Sequence, residues 1–231
     1  MLWTKAWLET RWRLLYAVAL PVSALALPYI MGGGVSSAKD ARGIVGVMAF
    51  FGIFNGVYLA GAGIRTQPTF SATKTLSGSM YYTLSLPVSR LRMLSVRAGV
   101  GLLEFAGVSA VMYSAAWLSL PLVQGGAAPF DLLKLILAAV CCTACFYFVS
   151  VLLATFLDDP AQTFASMFVS LVVWFIVART PPPRPFNLLG FSSDASPLVT
   201  HTMPWPAMVA SLIFSAILFF VALRIVQTRE Y

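Results

Sequence analysis

The stretch that decides the fold is residues 132–157, LLKLILAAVCCTACFYFVSVLLATFL. Its one charged side chain is that of Lys134. A helix that spans a bilayer needs about 20 mainly apolar residues. Strands of a membrane β-barrel would instead show segments of roughly ten residues with alternating polarity. The unbroken apolar run therefore predicts a membrane-spanning α-helix.

The composition of the whole chain points the same way. Of its 231 residues 59% are hydrophobic and 10% are charged, with a mean hydropathy of +0.85. A soluble domain carries about 25% charged residues, so this chain cannot cover a surface that faces water. In lipid every backbone polar group must be paired internally. We therefore predict an all-α integral membrane protein, organised as one transmembrane domain over residues 1–231.

Five further apolar runs bring the predicted spans to six. These runs are residues 14–31, 44–64, 96–123, 163–178 and 207–226. The first resembles a signal peptide, with basic residues before it and an Ala24-Leu25-Ala26 triplet. It is long for the apolar region of a signal peptide, so we expect it to remain as a span.

The basic residues set the predicted orientation, because cytoplasmic loops carry an excess of lysine and arginine. With the N-terminus inside, ten of the 15 basic residues lie on the inner side: Lys5, Arg11, Arg13, Arg65, Lys74, Arg90, Arg92, Arg97, Arg224 and Arg229. We predict a multi-pass protein of the cell (inner or plasma) membrane with both termini cytoplasmic. The net charge of +7 belongs to these flanks of apolar runs, so we predict lipid contacts and no nucleic-acid partner.

Three segments are predicted not to span. Residues 1–13 place Trp3 and Trp7 one helical turn apart, which favours an amphipathic interfacial helix at the headgroups that also includes Arg11 and Arg13; a simple topology anchor is the alternative. Residues 65–95 form the long cytoplasmic loop, in which Pro87 is expected to start a helix that continues into the third span. Residues 179–206 contain four closely spaced prolines and predict a broken or re-entrant outer segment.

Motifs for soluble catalysis are absent from the sequence. It has no G-x-x-x-x-G-K-[ST] phosphate loop. The single histidine, His201, is predicted to lie in the outer segment without a neighbouring carboxylate or cysteine. Cys141, Cys142 and Cys145 are expected to pack as small apolar side chains. We predict no metal site, no cofactor in this chain and no enzymatic activity of the chain by itself.

Two polar residues are predicted inside spans. Glu104 lies seven residues after Arg97, about 10 Å deeper along the helix. It either lines a pathway, or pairs with a neighbouring subunit, or ties helices together as a hydrogen-bonded carboxyl. Asn55 lies beside Gly52, Gly56 and Ala60, whose spacing allows close helix packing. Packing is the favoured interpretation of this group over transport contacts.

These features together resemble a known family. The order is a tryptophan-rich N-terminal helix, two spans, a long inner loop, and four more spans with a broken outer segment before the last. Residues 82–90 read YTLSLPVSR just before the third span, and residues 222–230 read ALRIVQTRE at the end. Both are similar to the permease subunits of ABC-2 type ATP-binding cassette exporters. Residues 72–79, ATKTLSGS, lack the acidic residues and Gly-Thr of many members and indicate a divergent branch.

The resemblance implies a division of labour between subunits. The inner loop would form a cytoplasmic coupling helix that docks on a separate ATPase subunit, which would hold ATP and Mg. The implied coupling residues are Leu84, Ser85, Leu86, Pro87, Val88, Ser89 and Arg90, with Asp158 and Asp159 as a second, smaller contact. A second copy or a paralogue would complete the pore, and the N-terminal helix would connect along the membrane.

Two other functions are open at this point. The first is a non-transporting membrane scaffold or assembly factor. The second is a membrane enzyme acting on lipid, which needs carboxylates or histidines clustered near one interface. Asp158 and Asp159 are the only such pair, and adjacent residues on a helix do not face one another.

Overall fold

The computed structural model describes residues 2–30, 38–60, 89–119, 129–155, 157, 159–179, 186–192 and 196–228. Their elements are α1 (Leu2–Ile30), α2 (Ala38–Leu59), α3 (Arg90–Ser119), α4 (Pro129–Leu153), α5 (Asp159–Arg179), a 3₁₀ turn (Gly190–Ser192), the short α6 (Pro197–Thr200) and α7 (Trp205–Thr228). The described residues contain no strand, so the predicted all-helical class is confirmed for them.

Three of the described helices are long and apolar enough to cross a membrane. They comprise residues Leu91–Leu118, Pro129–Leu153 and Trp205–Thr228. Shorter apolar segments, Arg13–Leu25 and Gly46–Leu59, lie within α1 and α2. Each of the six segments predicted to span overlaps one of the six long helices.

Helix α4 lies at the centre of the bundle and contacts α2, α3, α5 and α7, while α1 packs on α2 and α3. Two apolar clusters fill the interior. The cluster near the start of α4 includes Leu135 and Phe146, and the other includes Phe105 and Tyr147. Their large side chains are almost entirely buried. The sequence of α4 is apolar all round because neighbours cover most of it.

The contacts also fix the helix directions. Arg13 and Ala17 of α1 meet Tyr58 and Asn55 of α2, so these two helices are antiparallel. Cys142 of α4 meets Ser211 of α7, and further along both helices Phe148 meets Phe219. The contacts follow the same order in the two helices, so α4 and α7 are parallel.

Helix α1 differs from the sequence prediction. An interfacial helix over residues 1–13 followed by a span from residue 14 would place a boundary at Arg13. Instead α1 is continuous over its 29 residues, about 44 Å. Residues 2–20 contain no glycine or proline, and a formed helix propagates until a breaker or a cap stops it. The separate interfacial helix is therefore not observed as an element of its own.

The start of α3 also differs by a few residues. The sequence predicts a helix from near Pro87, whereas α3 begins at Arg90. The Ser89 hydroxyl accepts a hydrogen bond from the Arg92 amide at 3.3 Å, which is the arrangement of an N-cap. The end of α4 differs as well. This helix stops at Leu153, before residue 157 where the predicted span ends. Just after it, the Thr155 hydroxyl donates to the Leu152 carbonyl at 2.7 Å.

Candidate functional site

Polar side chains join the helices at several buried points. Asn55 of α2 is 1% exposed, and its amide nitrogen donates to the Ala17 carbonyl of α1 at 3.1 Å. The carbonyl only accepts, so the amide nitrogen must face it. Hydrogen bonds between membrane helices contribute about 0.6 kcal/mol on average, with a maximum of about 1.7 kcal/mol.

The need for this bond follows from the sequence of α1. In an α-helix the carbonyl of residue i accepts from the amide of residue i+4. Four residues after Ala17 stands Pro21, which has no amide hydrogen. The Ala17 carbonyl therefore lacks its helical donor, and a buried carbonyl without a donor is costly. Asn55 supplies that donor from the neighbouring helix, which is how membrane proteins tolerate prolines inside helices.

The small residues of α2 have the packing role favoured by the sequence. A Cβ built on Gly52 would lie 3.8 Å from the Tyr113 hydroxyl, and one on Gly56 would lie 3.5 Å from the Phe105 ring. Both glycines and Ala60 are buried. Their backbone thus forms the surface on which the aromatic rings of α3 rest.

Tyr147 of α4 reaches across to α3. Its hydroxyl donates to the Ala98 carbonyl at 2.8 Å, and its ring stacks on Phe105 with centroids 6.3 Å apart. The close contact between the Tyr147 hydroxyl and α3 depends on Gly101, since a Cβ there would lie 2.5 Å from the Tyr147 oxygen. A buried tyrosine hydroxyl requires such a partner.

Glu104 lies in the same region of α3 and is 4% exposed. It is inside the candidate span Leu91–Leu118, as the sequence predicts, and Tyr147 is within its electrostatic reach. A carboxyl inside a membrane helix is costly and marks a functional candidate. The structure places Glu104 within the bundle and beside the α3–α4 contact, whereas Asn55 faces α1.

Two serines complete the ties of α4. The Ser150 hydroxyl donates to the Val57 carbonyl of α2 at 3.1 Å, and the Ser211 hydroxyl of α7 donates to the Cys142 carbonyl at 3.1 Å. Cys142 and Cys145 are buried within the same packing. The sequence analysis did not select these serines or Tyr147. Polar groups within the apolar runs 132–157 and 207–226 were the available signal, because each requires a partner when buried.

A charged cluster lies at the start of α4. Asp131, 5% exposed, accepts from Lys134 Nζ at 2.8 Å through Oδ1, and its Oδ2 lies 2.7 Å from His201 Nδ1. Lys134 also donates to the His201 carbonyl at 2.8 Å. His201 has a left-handed backbone (φ 56°) and ends α6. The prediction that His201 has no neighbouring carboxylate is wrong, because the fold brings together residues that lie far apart in the chain.

This cluster holds the outer segment against the bundle. We call residues 186–192 and 196–204 the outer segment, after the location that the sequence predicts for them. The segment contains the 3₁₀ turn and α6, both of which contact α4. Phe191 is fully buried and meets the Tyr113 ring edge-on at 6.5 Å. The charged cluster therefore holds one end of the outer segment on α4. At the other end of the segment, Phe191 packs into the core.

The residues predicted to couple to an ATPase are only partly described. Ser89 caps α3, and Arg90 and Asp159 are the first residues of α3 and α5. The described residues do not include residues 84–88 or Asp158. They also exclude the side chains of Trp3, Arg90 and Asp159. Of the predicted interfacial residues, Trp7 is 47% exposed and Arg11 is exposed.

Arg13 makes a contact that the sequence analysis did not foresee. Its guanidinium donates to the Tyr58 carbonyl at 3.5 Å and lies 5.7 Å from the centre of the Tyr58 ring. Tyr58 is in the last turn of α2, where carbonyls lack helical donors. Arg13 thus binds the end of α2 and holds α1 beside it.

Comparison with known proteins gave no match to any family model, curated protein or solved structure.

Proposed function

We propose that the chain is the membrane-spanning permease subunit of an ATP-driven exporter of the ABC-2 type. The observation that carries the proposal is the stretch 82–90, YTLSLPVSR, placed directly before a long apolar helix. The capped start of α3 at Ser89 supports it, because force on this stretch would pass into a continuous helix of 30 residues.

The proposal includes six spans with both termini cytoplasmic. Helices α2 and α5 have 22 and 21 residues, about 33 and 32 Å, against a hydrocarbon core of about 30 Å. The antiparallel pairing of α1 with α2 and the parallel pairing of α4 with α7 are the directions that six successive crossings require. The N-terminal part of α1 would then lie at the inner surface.

The proposed pathway lies between two permease copies, or between this chain and a paralogue. The interior of the described bundle is filled by Tyr113, Tyr147, Phe105 and Phe191. Large apolar side chains are instead exposed along α5 and α7, among them Phe164, Phe168, Phe175, Ile213, Ile217 and Phe220. A packed interior and apolar outer faces support a pathway shared between subunits in a lipid membrane.

The resemblance to ABC-2 type permeases supplies the coupling residues of this proposal. Leu84–Arg90 would dock on the ATPase subunit, with Asp158 and Asp159 as a smaller contact. The partner would bind ATP and Mg, and ATP-driven closure of the ATPase pair would pass through α3 into the bundle. Glu104, buried beside the α3–α4 contact, is our candidate for a polar contact in gating.

The test is co-purification in mild detergent with a candidate ATPase subunit encoded near this chain, with ATP turnover measured in the complex. We expect two ATPase subunits per two permease chains. The double variant Arg90→Glu with Pro87→Ala should fold but lose the partner or its coupled turnover. Arg224→Glu places the same charge reversal at the exposed end of α7 and is the matched control, which should keep both.

Two outcomes would contradict the docking role of residues 84–90. If no ATPase binds the wild-type chain more tightly than the double variant, the coupling role of residues 84–90 is wrong. If both charge reversals lose the partner to the same extent, the effect belongs to the inner surface as a whole and the assignment of the docking stretch fails.

A further inference from the structure

Three features of α1 coincide within two turns. Pro21 is buried and removes the helical donor of the Ala17 carbonyl. Two residues later the Ser23 hydroxyl donates to the Leu20 carbonyl at 2.8 Å, a back-bond that tends to bend helices. Asn55 of α2 donates to the freed Ala17 carbonyl at 3.1 Å. A helix with these features bends most easily at this point.

The bond from Asn55 is suited to reversible use. It is a single neutral hydrogen bond between membrane helices, a type that contributes little stability on average, and its release leaves one backbone group, the Ala17 carbonyl, without a donor. Among the described residues the Asn55 Oδ1 atom is buried without a hydrogen-bond partner. The observed conformation therefore uses only part of the hydrogen-bonding capacity of the buried Asn55 amide. The cost of burying its oxygen without a donor destabilises this conformation.

We propose that α1 is hinged at Pro21 and that Asn55 is the clasp that holds the hinge in the observed conformation. When Asn55 releases the Ala17 carbonyl, the part of α1 before Pro21 tilts away from α2, while the part after Pro21 keeps its packing. The long contact between Arg13 and the Tyr58 carbonyl, at 3.5 Å, yields in the same motion. This inference does not depend on the proposed export function.

The geometry makes the motion measurable. Trp7 lies 14 residues before Pro21, about 21 Å along the helix. A proline kink of about 20° displaces that position by roughly 7 Å. Val22, directly after Pro21, should stay in place. Both side chains are exposed, and so is Leu212 on α7, which serves as a fixed reference.

The experiment measures distances between paired spin labels by double electron–electron resonance in the full chain. The labels are at Trp7→Cys or Val22→Cys, each with Leu212→Cys, after the three native cysteines are replaced by alanine. Asn55→Leu should broaden or shift the 7–212 distance by several ångströms, on the order of the kink displacement, and leave 22–212 unchanged. Adding Pro21→Ala restores the helical donor and should return the 7–212 distance to its original narrow distribution.

Two outcomes would overturn the hinge. In the first, Asn55→Leu changes neither distance, or changes both alike. In the second, Pro21→Ala fails to reverse the change, which would mean that Asn55 acts independently of the proline. If Asn55→Leu alone does not yield folded protein, recovery of folded protein by the Asn55→Leu, Pro21→Ala pair supports the clasp, and failure of the pair refutes it.

Discussion

Gly101 has no side chain at the place where α3 meets α2 and α4. A Cβ there would lie 2.5 Å from the Tyr147 hydroxyl and 3.2 Å from the Leu59 carbonyl. The first atom is held by its bond to the Ala98 carbonyl, and the second is backbone, so neither yields easily. The absence of one methyl group therefore permits a contact among three helices.

We expect Gly101→Ala to lower the free energy of unfolding in detergent by about 1–3 kcal/mol, because it overpacks this contact. The matched control is Gly107→Ala on the same helix, where a Cβ would meet nothing within 4 Å. The control should be neutral or slightly stabilising, since alanine favours helix over glycine by about 1 kcal/mol. Equal unfolding free energies for the two variants would show that Gly101 does not set this contact.

At the residue scale the sequence predicts whether a side chain is buried in a helix but not which residue it contacts. Burial of Glu104 and packing by Gly52 and Gly56 follow from position inside an apolar run. The donor role of Asn55 depends on Pro21 in another helix, and the His201–Asp131 contact joins residues 70 positions apart. Such pairings depend on tertiary packing, which a single sequence does not reveal.

At the scale of elements the helices are predicted better than their ends. Long apolar runs locate the six long helices of the described residues, because period and length are local properties. The ends depend on single groups: Ser89 caps α3 at Arg90, and no breaker separates the first 13 residues from the rest of α1. The coupling stretch before Ser89 stays a prediction from the resemblance.

Between elements, Asp131 connects the outer segment to α4. We expect Asp131→Asn to loosen this attachment, because the amide loses the negative charge that attracts Lys134 and His201. Hydrogen exchange of the amides Val199–His201 should become about tenfold faster or more, with α4 and α7 unaffected. Mass spectrometry of exchange in detergent measures both regions at once.

The control for this variant is Thr202→Ala, which removes a hydroxyl that bonds to Thr200 within the outer segment. It should leave the exchange of Val199–His201 near the wild-type rate. If Asp131→Asn exchanges no faster than the control, the charged cluster does not hold the segment. If α4 and α7 also exchange faster, Asp131 supports the whole bundle rather than this attachment.

At the scale of the whole molecule the proposed function depends on how the bundle crosses the membrane. Helix directions follow from contacts such as Cys142 with Ser211 and Ala17 with Asn55. The bond from Tyr147, late in α4, to Ala98, early in α3, adds the direction of α3. The charged cluster and the outer segment therefore lie at one end, and the start of α3 and the end of α7 lie at the other. An exporter permease driven by a cytoplasmic ATPase requires the second end, where α3 begins at Arg90 after its cap Ser89, to face the cytoplasm.

The most direct measurement is labelling of single cysteines with a membrane-impermeant maleimide in intact cells, with the native cysteines replaced by alanine. Thr202, Arg92 and Thr228 are exposed positions at the two ends. We predict that Thr202→Cys reacts in intact cells, whereas Arg92→Cys and Thr228→Cys react only after the membrane is permeabilised. Reaction of Arg92→Cys in intact cells, or the same behaviour for all three, would contradict the account, because the docking stretch would then be out of reach of any ATPase.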